Sequence, residues 1–150
     1  MRNSLKTKGF TLLEVLLVIA IIGILAAIVI VALNPNKQLG DTRNAQRKSD
    51  VNTILNAVYQ YDIDNSAMPG TISTTSTAVC RYGAGPCVTA SSTLVDLSVL
   101  VPKYVVGIPF DPNGATASST GYLISLSASD NRVTVSAPNA ENGATISVSK

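Results

Sequence analysis

Nineteen consecutive residues, Val15 to Leu33, carry no charge and no polar side chain. As a helix this run covers ~28 Å, about the thickness of a bilayer hydrocarbon core, so it reads as a membrane span. A secretory signal has a shorter apolar core, of about 7–15 residues, and a small-x-small cleavage site beyond it. Ile30-Val31-Ala32 fits that site poorly. Arg2, Lys6 and Lys8 precede the run and orient it, keeping the amino end cytoplasmic and sending the rest across. One charge disturbs the pattern. Glu14 stands directly before this run and one turn after Phe10, where an ionised carboxylate within the membrane costs on the order of 2–3 kcal/mol unless it has a partner. Cleavage between Gly9 and Phe10 would supply one, because the new Phe10 ammonium group lies four residues, or ~6 Å of helix rise, from Glu14. The same pair across two packed helices would neutralise both groups in hydrocarbon. Ala20, Gly23, Ala26 and Ala27 would let such helices approach closely.

Basic residues, then Gly9, Phe10-Thr11-Leu12-Leu13-Glu14 and the run Ile21-Ile22-Gly23-Ile24-Leu25-Ala26-Ala27-Ile28 resemble the amino terminus of type IV pilins and the related pseudopilins. The resemblance is specific over roughly the first quarter of the chain. It implies a prepilin with a class III signal peptide, cut after Gly9 by a prepilin peptidase that also N-methylates the Phe10 amine. It further implies that Phe10 and Glu14 take part in subunit assembly. The implied partners are identical subunits in a helical homopolymer, the prepilin peptidase and N-methyltransferase, an assembly platform with its ATPase, and the inner membrane before assembly. The commoner family pattern has a proline at the position held by Val31. Here the nearest one is Pro35, so the expected kink is displaced towards the carboxyl side.

Pro35 removes a backbone donor and crowds the preceding turn, and with Gly40 it predicts a flexible stretch from Asn34 to Asp41. Helical periodicity resumes at Thr42, with Val51, Ile54, Leu55, Val58 and Tyr59 or Tyr61 forming a stripe that should cover a sheet. Asp41, Arg43, Arg47, Lys48, Asp50 and Asp62 fall off the stripe and read as a solvated face with weak ion pairs. A sharper alternative sets Arg43, Arg47 and Lys48 against acidic residues of a neighbouring subunit. Asn65 to Ala90 reads as a long Ser/Thr-rich loop. Cys80 and Cys87 lie near its end, separated by six residues that include Gly83, Gly85 and Pro86. In an exported domain a disulfide is the expected state, against two free thiols or a metal pair. Thr93-Leu94-Val95-Asp96 reads as a capping box opening a short helix to Leu100, and Asp111-Pro112-Asn113-Gly114 as a turn. Leu100 through Gly114 resembles the segment leading into the sheet of pseudopilins and simple pilins, and some of those relatives hold calcium in a loop nearby. Asp111 and Asn113 offer too few oxygens for an ion that takes six to eight, and no metal site is assigned.

The last third alternates, with Tyr122, Ile124 and Leu126, then Val133 and Val135, then Ile146 and Val148 on one face. The expected fold is α+β. A long helix, part membrane span and part amphipathic, kinks near Pro35 and packs on an antiparallel sheet of about three strands. The boundaries are a leader at 1–9, a span or filament-core helix at 10–33, its amphipathic continuation at 34–62 and a globular head at 63–150.

Catalysis has little to work with. There is no histidine, so histidine-dependent nucleophile activation is excluded, and no Gly-rich phosphate loop follows a strand. No enzyme and no cofactor are expected. Eleven basic residues face nine acidic ones, and three of the basic ones lie in the leader. The processed chain is therefore nearly neutral and shows no nucleic-acid site. The leading reading is a type IV pilus subunit, moving from the cytoplasmic membrane to an extracellular filament for adhesion, motility or DNA uptake. The alternative within the same superfamily is a pseudopilin of a type II secretion system. The alternative of another class is a monomeric anchored binding domain, in which Glu14 would stay without a cation.

Overall fold

A computed structural model describes residues 9–81, 83, 87–89 and 92–150, and the chain parts into two compact units between Gln38 and Leu39. Helix α1 spans Leu12–Leu33. Thr11 is its N-cap. The Thr11 hydroxyl accepts from Glu14 N–H at 3.2 Å while Glu14 Oε2 accepts from Thr11 N–H at 3.0 Å, a reciprocal capping box. At the other end Asn34 adopts the left-handed conformation, with φ 42°. Pro35 then opens helix α2, Pro35–Asn65, at the first helical position, where its missing N–H costs nothing.

The break expected over Asn34 to Asp41 is therefore confined to Asn34. Pro35 ends one helix by beginning the next, and α2 continues unbroken through Gly40 to Asn65, past the expected limit at Asp62. Gly40 is not a weak point. It is buried in the helix, and a Cβ there would lie 2.8 Å from Asn142 Nδ2 and 2.9 Å from Glu141 Oε2. The glycine is where a loop of the head comes close to the helix backbone.

The head is a four-stranded antiparallel sheet in the order β1-β4-β5-β6, made of β1 (Thr77–Cys80), β4 (Ser119–Leu126), β5 (Val133–Ser136) and β6 (Ser147–Ser149). Val51, Ile54, Leu55 and Val58 of α2 share one core with Tyr122, Ile124, Val133 and Val135 of the sheet. The register sets Ile124 opposite Val135 and Val135 opposite Val148, so the alternating apolar residues line one face. The three expected strands are present, and β1 adds a fourth from the stretch read as loop. A bulge between Ala78 and Cys80 interrupts the β1–β4 pairing. A small separate ribbon pairs β2 (Val88–Thr89) with β3 (Ser92–Thr93).

The expected capping box at Thr93 to Asp96 does not form, because Val95 is drawn into the sheet edge. Its N–H donates to Ala78 O at 2.9 Å and its carbonyl accepts from Cys80 N–H at 2.8 Å. Asp96 Oδ1 accepts from Ser98 N–H at 2.8 Å, a local turn two residues long, and the helix shrinks to the 3₁₀ turn Ser98–Leu100, whose N-cap residue is Leu97.

Candidate functional site

The amino-terminal residues singled out by the sequence lie together. Gly9 and Phe10 are exposed and outside any regular element, immediately before the N-cap, and Phe10 is 85% exposed. Such a peptide bond needs no unfolding of α1 to be reached. Glu14 sits one turn in, with Oε2 accepting from both the N–H and the hydroxyl of Thr11 at 3.0 Å. These neutral donors satisfy hydrogen bonds but leave a net negative charge, so a nearby cation would still stabilise the site. Thr11 figures in the sequence only as part of the motif, although Thr-x-x-Glu before an apolar run is itself the signal for a cap. No side chain of α1 is buried. Phe10, Glu14, Val15, Leu17, Val18 and Ile19 line a shallow groove along it, and α1 is long and apolar enough to cross a membrane.

The charged residues of α2 behave differently from the expectation of a solvated face. Arg47 is fully buried. Its Nε and Nη2 donate to the two oxygens of Asp111 at 2.7 and 3.0 Å, and Nη1 donates to Asn44 Oδ1 at 3.0 Å. Arg43 forks onto Glu141 at 2.8 and 2.6 Å. Asn44 pairs twice with the Glu141 backbone, donating to its carbonyl at 2.8 Å and accepting from its N–H at 2.9 Å. Asp50 is buried and accepts from Tyr122 OH at 2.7 Å. The solvated reading therefore fails for Arg43, Arg47 and Asp50. The alternative of a neighbouring subunit fails for Arg43 and Arg47, whose carboxylates come from the same chain. Burial alone would have cost too much, and the loops at 111–114 and 139–142 bring the counter-charges that permit it.

The electrostatics follow from this packing. Burial pushes the Asp111 carboxyl up. The Arg47 guanidinium and the N–H groups of Asn113 and Gly114 pull it further down, holding it below the ordinary carboxylate value. Arg43 lowers Glu141 in the same way. The guanidinium stands where a cation would bind Asp111. Among the described residues no group of three or more histidine, cysteine, aspartate or glutamate side chains is placed to hold a metal ion.

Cys80 and Cys87 form the expected disulfide, with Cα atoms 5.4 Å apart. It ties the end of β1 to the start of the β2–β3 ribbon.

Residues 5–30 match the family model described as the prokaryotic N-terminal methylation motif. The chain is similar to type II secretion system core protein G of Escherichia coli K12, 44% identical over 71 residues, which is 47% of this chain and 48% of that protein. The protein of the same name from Vibrio cholerae is 42% identical over 71 residues, 47% of each chain. That from Aeromonas hydrophila is 44% identical over 66 residues, 44% of this chain and 45% of the relative. The chain thus spans about half the length of the curated relatives it matches. No solved structure matches it. The methylation motif, the apolar helix that it opens and these relatives make the amino-terminal half of the chain similar to proteins of the type IV pilin-like family.

Proposed function

We propose that this protein is a pseudopilin, a non-enzymatic structural subunit of a type II secretion system. On this reading it is cut after Gly9, methylated at Phe10 and polymerised through α1. The observation that carries the reading is the similarity to core protein G of that system in several bacteria. It favours secretion over the surface-pilus role to which the sequence alone first pointed. The geometry is compatible with the processing step, since the Gly9–Phe10 bond is exposed directly before the helix. An α1 without buried side chains suits two successive environments, lipid first and the helices of other copies afterwards. Glu14, already held by Thr11, would meet the Phe10 ammonium of its own or a neighbouring copy.

Two measurements test this. Intact mass of the protein from a peptidase-positive host should correspond to a chain beginning at Phe10 with one added methyl group. A chain beginning at Met1 would end the processing claim. Deleting the gene should leave exported proteins trapped in the cell envelope. If secretion is normal and long surface fibres vanish instead, the pilus role is the correct one.

A further inference from the structure

The chain contains two Asn-Gly pairs, Asn113-Gly114 and Asn142-Gly143, and both asparagines are exposed. An Asn-Gly pair is chemically fragile because the glycine N–H, unhindered by a side chain, can attack the asparagine amide carbon. The two pairs differ in whether that nitrogen is free. Both asparagine amides are hydrogen-bonded, Asn113 to Glu141 Oε1 at 3.0 Å and Asn142 to Asp41 Oδ1 at 2.9 Å, but Gly114 N–H also donates to the ionised Asp111 Oδ1 at 2.7 Å. The nucleophile of the first pair is thus fixed on a carboxylate that Arg47 anchors in turn. Gly143 N–H makes no hydrogen bond among the described residues, and Asn142 and Gly143 both sit at positive φ, 55° and 71°, on an exposed turn.

We infer that Asn142 is a site of spontaneous deamidation, and that the modification loosens the attachment of the 139–142 loop to helix α2. In the reaction the Gly143 nitrogen bonds to Asn142 Cγ and loses its proton to solvent. The Cγ–Nδ2 bond breaks and the amide leaves as ammonia, giving a cyclic succinimide. Water then opens the ring to aspartate or isoaspartate, and nothing is oxidised or reduced.

The consequence follows from the neighbours of Asn142. Its Nδ2 donates to Asp41 Oδ1 at 2.9 Å. Deamidation replaces that donor with a second carboxylate facing Asp41, next to Glu141 in sequence. The side chain already rests on the helix in the space that the missing Cβ of Gly40 leaves, so the new carboxylate is set against α2 beside Asp41. The loop must therefore draw away from the start of α2, which weakens the paired contacts of Glu141 with Arg43 and Asn44.

The test is to age the full-length protein in detergent at mildly alkaline pH and map deamidated peptides by mass spectrometry. Deamidation at Asn142 should outpace that at Asn113 by about tenfold or more, the factor that one charge-assisted hydrogen bond is worth. In urea the two rates should converge. Asn142→Asp should reproduce the lowered melting temperature of aged protein, and Asn142→Ser, which removes the reactive amide without adding charge, should not lose stability further on ageing. Equal rates in the folded protein, or faster reaction at Asn113, would overturn the site assignment. An Asn142→Asp protein that melts with the wild type would overturn its consequence.

Discussion

Helix α1 and the head treat ionisable groups in opposite ways. In 22 residues α1 carries one charge, Glu14, at an exposed position held by its own N-cap. The unit Leu39–Lys150, which joins most of α2 to the head, buries Arg47, Asp50 and Asp111 completely or nearly so, yet no buried side-chain polar atom among the described residues lacks a partner. The difference teaches where each unit finds its stability. The head closes its electrostatics within one chain. The apolar side chains of α1 are exposed, and on the proposed function lipid or other copies would cover them.

The largest expected effect comes from opening the closed cluster. Arg47→Ala leaves Asp111 buried without its cation, a class of change that costs about 3–5 kcal/mol. Thermal unfolding of the full chain in detergent measures it. A loss below about 1 kcal/mol would mean that Arg47 is in effect a solvated surface charge, and the contrast between the units would collapse.

An intermediate effect comes from acid. The folded Asp111 and Glu141 carboxyls lie below their ordinary values of 3.8 and 4.5. The stability they contribute is therefore complete above about pH 5 and drains away as the pH falls through the lowered folded values. Melting temperature against pH should show that decline. In Arg47→Met the guanidinium no longer lowers Asp111, and only the N–H groups of Asn113 and Gly114 oppose burial, so the acid-induced loss that Asp111 contributes should shrink. Parallel pH curves for the two proteins would refute the coupling.

The smallest effect is expected from Glu14→Ala. Melting of the head should change by no more than about 0.5 kcal/mol, as for a surface substitution, while assembly of subunits should be lost. A head that melts earlier in this variant would show that the units are not energetically separate.

What could be read in the sequence divides along similar lines. The span, the stripe Val51–Ile54–Leu55–Val58 and the strands around Tyr122, Val133 and Val148 are local patterns, and each is where its periodicity put it. Arg47 was misjudged because its partner lies 64 residues away. A charge off an apolar stripe normally faces water, and no local signal marks the exception. Gly40 looked like a breaker for the same reason, since the loop that needs its missing Cβ arrives from residues 141 and 142. Strand β1 was hidden because Thr-Ala-Val-Cys is short and its place in the sheet depends on Val95 and on β4. At the amino end Thr11 was read only as part of the motif, although its signal for a cap was local. There the weakness lay in reading Glu14 only as an unpaired charge.

The margins of the sheet matter for a protein whose copies are proposed to lie side by side. An open strand offers a row of free N–H and carbonyl groups on which another chain can build. Here β6 has only three residues. The other margin, β1, is interrupted by its bulge and has part of its outer backbone taken by Val95. A crowded array of such heads has little template for strand exchange, so close packing can be reversible rather than a route to amyloid.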